Sequence, residues 1–140
     1  MPITNASTVV HFDADGALAA VQARASGTLR SFVEFDEETF NPLYVDDATL
    51  ALYEDEAQMQ AHFTNLHSYL YLDLAETDLF TEQLFPVAEA VDYLTTALDY
   101  VKLVRLYHGD EGLFLALDPD EPVQPLVDAI REAIVDGQGA

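Results

Sequence analysis

Between residues 100 and 118 the chain reads YVKLVRLYHGDEGLFLALD, and this stretch constrains the fold more than any other. Two runs rich in leucine, valine and aromatic residues, 100–107 and 112–117, flank the turn-prone segment HGDEG. Strand-like runs joined by a few residues bearing glycine and aspartate predict a β-hairpin. A hairpin commits the chain to antiparallel pairing, and no regular alternation of strand and helix elsewhere supports a parallel sheet.

Upstream, LRSFVEF (residues 29–35) alternates Leu29, Ser31, Val33 and Phe35 with Arg30, Phe32 and Glu34, and reads as a strand. Before it, Asp13 or Asp15 can cap a helix through GALAAVQARAS, with Leu18, Val21, Gln22 and Ala25 along one side and Gly27 at its end. DEETF predicts a short helical turn, and Pro42 breaks any longer run. Over residues 55–74, Met59, Phe63, Leu66, Leu70 and Leu74 recur at helical spacing. The second half of that helix, SYLYLDL, is apolar nearly all round, so it is either deeply buried or an interface. Tyr69, Tyr71 and Leu72 are the interface candidates. AETDLFTEQLFP reads as a connector with at most one helical turn. Val87, Val91, Leu94 and Leu98 then mark a further helix, with Pro86 in its first turn. A last helix is expected over residues 122–135, before a frayed tail at 136–140. Together these elements predict an α+β fold, a single domain over residues 1–135. Its small antiparallel or mixed sheet includes the C-terminal hairpin and packs with about four helices.

Charge limits where such a chain can work. There are 26 acidic residues against 5 basic ones, a formal net charge of -21, and Lys102 is the only lysine. The acid is spread over segments with apolar periodicity rather than gathered in a tail. Repulsion on that scale opposes a compact state in dilute buffer, whereas in molar salt the screening length falls to about 3 Å. An acidic, lysine-poor, well-patterned chain is therefore expected in the cytoplasm of a salt-accumulating halophile. Without a basic patch to neutralise phosphates, direct nucleic-acid binding is not expected. No apolar run approaches the roughly 20 residues of a membrane span, and the first residues lack the regions of a signal peptide. The edges of a small sheet and a tyrosine-rich helix surface predict a homodimer.

HFDADGAL resembles the first motif of the haloacid dehalogenase superfamily, Asp-x-Asp-Gly-Thr-Leu after an apolar strand, with Ala17 in place of threonine. The resemblance implies a magnesium-dependent phosphohydrolase with Asp13 as nucleophile and Asp15 as general acid, on a doubly wound fold. Lys102 would have to supply the phosphate-binding cation, and Asp118 and Asp120 the late carboxylates. An acidic helix cap accounts for the same residues more simply. A calcium loop fails, since counting from Asp13 puts glycine fourth and Arg24 twelfth. His62 and His67 fall on different helix faces, and His11 and His108 have no histidine neighbours in sequence, so no metal site is expected. The chain has no cysteine, no glycine-rich nucleotide loop and no hydrolase elbow, so no cofactor is expected. Phe32, Phe35, Phe40, Tyr44, Tyr69 and Tyr71 could line a pocket, though core packing explains aromatics as well.

Residues 29–45, LRSFVEFDEETFNPLYV, resemble a segment of small haloarchaeal proteins in a domain family of unknown function. There a helix leads into a Leu-Arg-Ser strand, an acidic turn with an aromatic, and a Leu-Tyr step. Residues 104–118, VRLYHGDEGLFLALD, resemble that family's later strands. The resemblance implies a halophilic origin and supplies no activity. The resulting expectation is a non-enzymatic protein-interaction, regulatory or ligand-binding module, with the phosphohydrolase as the alternative. Small-ligand sensors of the PAS, GAF or Roadblock class are an analogy at the level of fold alone. If screening is what permits the charge, circular dichroism will show unfolding as potassium chloride falls below about molar concentration. A folded signal independent of salt would contradict that account.

Overall fold

The computed structural model describes residues 2–139, with side chains as far as residue 135. The chain runs through β1 (Ile3–Thr4), α1 (Ala14–Arg24), β2 (Leu29–Phe35), β3 (Phe40–Val45), α2 (Asp47–Leu50) and α3 (Glu56–Ser68). It continues through α4 (Tyr71–Asp78), a π-helical segment (Leu79–Leu84), β4 (Leu94–Ala97), β5 (Lys102–His108), β6 (Glu111–Leu117) and α5 (Gln124–Gly139). The strands form one antiparallel sheet in the order β1-β3-β2-β6-β5-β4, on which the helices pack as an α+β fold.

The expected hairpin is β5–β6, paired from Lys102 opposite Leu117 to His108 opposite Glu111. Only Gly109 and Asp110 remain for the turn, and Gly109 sits at φ 70°, a conformation that costs glycine little. Period-two alternation divides the sheet's side chains between two cores. Leu113, Leu115 and Leu117 of β6, with Val104 and Leu106 of β5, meet Ala17 and Val21 of α1 and Leu126, Ile130 and Ile134 of α5. On the other face Val33 and Val45 meet Met59 and Phe63 of α3. Each fully buried leucine or isoleucine contributes roughly 1.5–3 kcal/mol by leaving water.

Local pattern and structure part company at several places. DEETF makes a β-turn rather than a helical one: the Asp36 carboxylate accepts from the Glu38 and Thr39 amides at 2.8 Å each and closes a β2–β3 hairpin. Pro42 fits inside β3 because the register shifts there, leaving Leu43 as the extra residue opposite Phe32 and Val33. The helix expected over residues 55–74 breaks at Tyr69 and Leu70, whose amides bond three residues back to Leu66 and His67. SYLYLDL is not deeply buried; Tyr69, Tyr71 and Leu72 are 54%, 61% and 53% exposed. The expected connector is helical as far as Leu84. The helix expected from Val87 to Leu98 is absent; its place is taken by a loop and β4, which gains a ladder with β5 from Leu94 opposite Arg105 to Ala97 opposite Lys102. On α1 the buried side is Ala14, Ala17 and Val21, and the helix ends at Ala25, whose backbone is extended, before Gly27 is reached. α5 runs on through Gly139, past the end expected at residue 135.

β2 is covered on both faces, which places Glu34 in the interior at 0% exposure. Its carboxylate accepts the amides of Thr8, Val9 and Val10 at 2.7, 3.1 and 3.2 Å, and the Ser7 hydroxyl and Asn41 amide at 2.7 Å each. Burial pushes its pKa up, but the bonds from Asn41, Thr8, Ser7 and Val10 outweigh burial and hold it below the ordinary 4.5. A carboxylate whose folded pKa is depressed adds stability above its unfolded pKa and loses it as pH falls through the folded one. Replacing Glu34→Gln is expected to cost about 2 kcal/mol at neutral pH, read by chemical denaturation in high salt. The gap between variant and native protein should narrow as pH drops from the ordinary 4.5. A gap that stays constant down to the acid limit would show that the charge on Glu34 is not what holds the N-terminal segment.

Candidate interaction surface

The second half of the chain carries the features that the packed core does not use. α4 is tied to the sheet by a polar contact rather than an apolar one. The Asp73 carboxylate accepts Arg105 Nε at 3.0 Å, Arg105 Nη2 at 3.3 Å and the Tyr107 hydroxyl at 2.9 Å. Arg105 Nη1 donates in turn to Thr96 Oγ1 at 2.7 Å and to the Leu103 carbonyl at 3.0 Å, linking α4, β5 and β4. Both members of the ion pair are largely out of water, so breaking it would strand a buried charge. Burial, and then the neighbouring Asp73 carboxylate, push the Tyr107 phenol far above its ordinary range, so it remains a donor.

Around this tie large apolar side chains are exposed among polar ones. Leu79, Phe80, Leu84 and Phe85 are exposed along the π-helical segment and its end, and Val87 is 95% exposed. Phe80 and Phe85 stack with centroids 6.0 Å apart and planes 7° from parallel. Between this segment and β4 lies a groove of about 510 Å³, with Phe80, Phe85, Val91 and Tyr93 among its walls and Arg105 in it. β4 is the last strand of the sheet, and no described strand pairs with its outer edge. Residues 93–98, YLTTAL, carry no charge in a chain with 26 acidic residues. Soluble proteins commonly protect such edges with charge or proline; this one does neither.

The structure separates the three interface candidates. Tyr69 and Leu72 line a shallow groove with Thr96 and Leu103, on the side of α4 that looks toward β4. Tyr71 lies on another side, with Leu74 and Tyr107. The aromatic set does not converge on one pocket either. Phe32 is in the α1–α5 core and Tyr44 packs against it, whereas Phe35 and Phe40 lie under α3.

The aspartates of the DADG motif both bond backbone amides. Asp13 caps α1 by accepting the Gly16 amide at 2.9 Å, and Asp15 accepts the Ser7 amide at 3.0 Å. A Cβ on residue 16 would collide with the Asp13 carboxylate, which explains the glycine. The doubly wound parallel sheet that the phosphohydrolase resemblance implies is not this fold. Lys102 Nζ donates to the Glu121 carbonyl at 2.9 Å, and Asp118 binds Thr28 and Arg30. Hydrogen bonding from the Thr28 amide first, then from Arg30, holds Asp118 below the usual carboxylate range. Asp120 is exposed.

The histidines have separate partners. His62 meets the Tyr53 hydroxyl at 2.7 Å, His67 the Asp36 carbonyl at 2.8 Å, and His108 packs edge-on against Phe12. His11 Nδ1 is 2.6 Å from Glu111, whose hydrogen bond and charge raise its pKa. Sequence reading missed the Asp73–Arg105–Tyr107 contact. The available signal was an arginine inside a strand of a chain that has only 5 cations.

Comparison with solved structures finds two similar chains. A Roadblock/LC7 domain from Streptomyces avermitilis superposes with a TM-score of 0.55 at 12% identity, over 94% of this chain and 97% of that one. MglC from Myxococcus xanthus gives 0.48 at 18% identity, over 89% and 96%. The first likeness shows a Roadblock/LC7-like fold. No curated protein matches. The family model "Domain of unknown function (DUF7522)" matches residues 8–135, as residues 29–45 and 104–118 led us to expect of a domain without assigned function. The chain belongs to that family.

Proposed function

We propose that this domain is a non-enzymatic protein-interaction module that works in a salt-rich cytoplasm and pairs with a second copy of itself along β4. The carrying observation is the uncharged, uncovered edge of β4, continuous with exposed apolar side chains on α4. Two such edges meeting about a twofold axis satisfy one another's backbone groups and extend the sheet. Tyr69 and Leu72 would then meet their counterparts beside the joined strands. Contact through an uncharged segment avoids desolvating carboxylates, the dominant cost for a chain of charge -21. The structural bonds of Asp13, which caps α1, and of Asp15, which accepts the Ser7 amide, support a role without catalysis.

Sedimentation equilibrium in molar potassium chloride tests the pairing directly. The native chain is expected to dimerise, and Thr95→Asp with Leu72→Asp should weaken dimerisation by at least about tenfold while leaving the fold intact. A native chain that stays monomeric at high micromolar concentration would refute self-association. Catalysis is tested separately through Asp13→Ala. Its expected effect is a loss of about 1 kcal/mol of stability from the missing cap, with no magnesium-dependent phosphate-ester turnover in either protein. Turnover in the native protein that vanishes with Asp13 would overturn the non-enzymatic reading.

A further inference from the structure

Beyond the β4 edge, at the end of the sheet, a hollow of about 320 Å³ opens between the α3–α4 junction and the β5–β6 turn. We propose that it receives a cationic side chain, lysine or arginine, presented by a partner protein. Its walls are aromatic and aliphatic, with Phe35, His67, Leu70, Tyr71, Leu74 and Tyr107 contributing. Asp36, Glu37 and Asp110 supply its carboxylates, and no lysine or arginine lines it.

The aromatic walls are held before any ligand arrives. Phe35 stands edge-on to Tyr107 at 5.5 Å and to His67 at 6.3 Å. The Tyr107 hydroxyl is tethered to Asp73 and His67 to the Asp36 carbonyl, so neither ring is free to swing into the space. Among the carboxylates, Asp36 is occupied by the turn amides. The Glu37 and Asp110 carboxylates accept no hydrogen bond from a described residue and both residues are exposed, with the charge of Asp110 felt by His11. An aliphatic stem with a charged head matches this division. The stem finds Leu70 and Leu74, the head finds ring quadrupoles and carboxylates that no lysine or arginine pairs, and cations gain from both.

Acidity alone would not single out this place, because the whole surface is acidic. The larger groove beside β4 contains Arg105, whereas here the protein offers carboxylates and aromatic rings without a lysine or arginine of its own. The hollow is also separate from the proposed dimer edge. β4 pairs only with residues 102–105 of β5, so Tyr107 and the turn extend past its end. Pairing along β4 leaves the opening free, and either proposal can fail without the other.

The test is an NMR titration of the full chain, labelled in its aromatic rings, in molar potassium chloride. The probes are a short glycine-flanked lysine peptide, its arginine and norleucine counterparts, and n-butylammonium. The lysine and arginine peptides are expected to give saturable shifts confined to Phe35, Tyr71 and Tyr107, with norleucine at least about tenfold weaker. Glu37→Gln with Asp110→Asn should weaken the basic peptides by a similar factor without changing the melting temperature, and Tyr71→Ala should weaken them too. Linear shifts spread over the acidic surface would mean a diffuse ion atmosphere and overturn the proposal. Equal binding of the norleucine peptide would overturn recognition of charge. Butylammonium binding as tightly as the peptides would overturn a partner-borne side chain in favour of a free amine.

Discussion

The carboxylate of Glu34 is the contact on which the first third of the chain depends. It lies on a central strand with no access to solvent, so its charge must be met by protein donors or expelled. The donors are successive amides of residues 8–10, the Ser7 hydroxyl and Asn41, and satisfying the charge draws the N-terminal segment across the sheet. That path delivers Phe12 to the core and sets the start of α1 at Asp13. The same device recurs after α1. Glu121, almost fully buried, accepts the amides of Ser26 and Gly27, and Asp118 accepts that of Thr28. Glu111 holds the His11 amide at 2.9 Å. Both loops that flank α1 are therefore fastened by acidic side chains projecting from the sheet or from the loop that follows it. In a chain so rich in acid, carboxylates that accept backbone amides shed local repulsion while doing structural work.

Cations are allocated with the same economy. Among the described residues, Arg30 joins β2 to Asp118 after β6, Arg105 joins β5 to α4, and Arg131 joins α5 to Asp92 in the loop before β4. Arg24 reaches Glu132 on α5 at 3.9 Å, and Lys102 reaches the Glu121 carbonyl. Each cation spans two elements distant in sequence, and the exposed pairs add little stability once salt screens them. Arg105 is different because its pair with Asp73 is sheltered. It fixes α4 over the face of β5 opposite the α1–α5 core, and Tyr71, Leu72 and Leu74 of the helix are left exposed.

What could be read from sequence follows from how local each signal is. The β5–β6 hairpin announces itself by two apolar runs about a glycine-bearing turn, β2 by alternation within a few residues, and α5 by an uninterrupted apolar stripe. β3 is hidden because Asn41-Pro42 looks like a breaker, and only pairing with β2, with its register shift, makes room for proline. β4 is hidden because Val87, Val91, Leu94 and Leu98 mimic helical spacing, and four residues of LTTA carry too little pattern to compete. The burial of Glu34 was not legible, since its partners Ser7, Thr8, Val9 and Val10 lie 24 to 27 positions upstream and Asn41 lies on the next strand. Of the candidate surface, Tyr69, Tyr71 and Leu72 were legible as apolar residues on a crowded helix. Their division follows from helical spacing alone, since Tyr69 and Leu72, three apart, share a face that Tyr71 does not.

On the proposed reading, folding and pairing respond to salt for the same reason and differ in where the charge lies. Folding brings carboxylates near one another everywhere, so it depends on screening throughout the molecule. Pairing brings together two surfaces of charge -21, yet the strip that touches is uncharged over residues 93–98. The long-range repulsion between copies is screened within a few ångströms in molar salt, leaving the short-range terms of backbone pairing and apolar burial to decide. An acidic residue on that strip would have to lose its water at the contact, a penalty that screening does not remove. An uncharged strip along an open edge is therefore an arrangement that lets an acidic domain keep a selective contact.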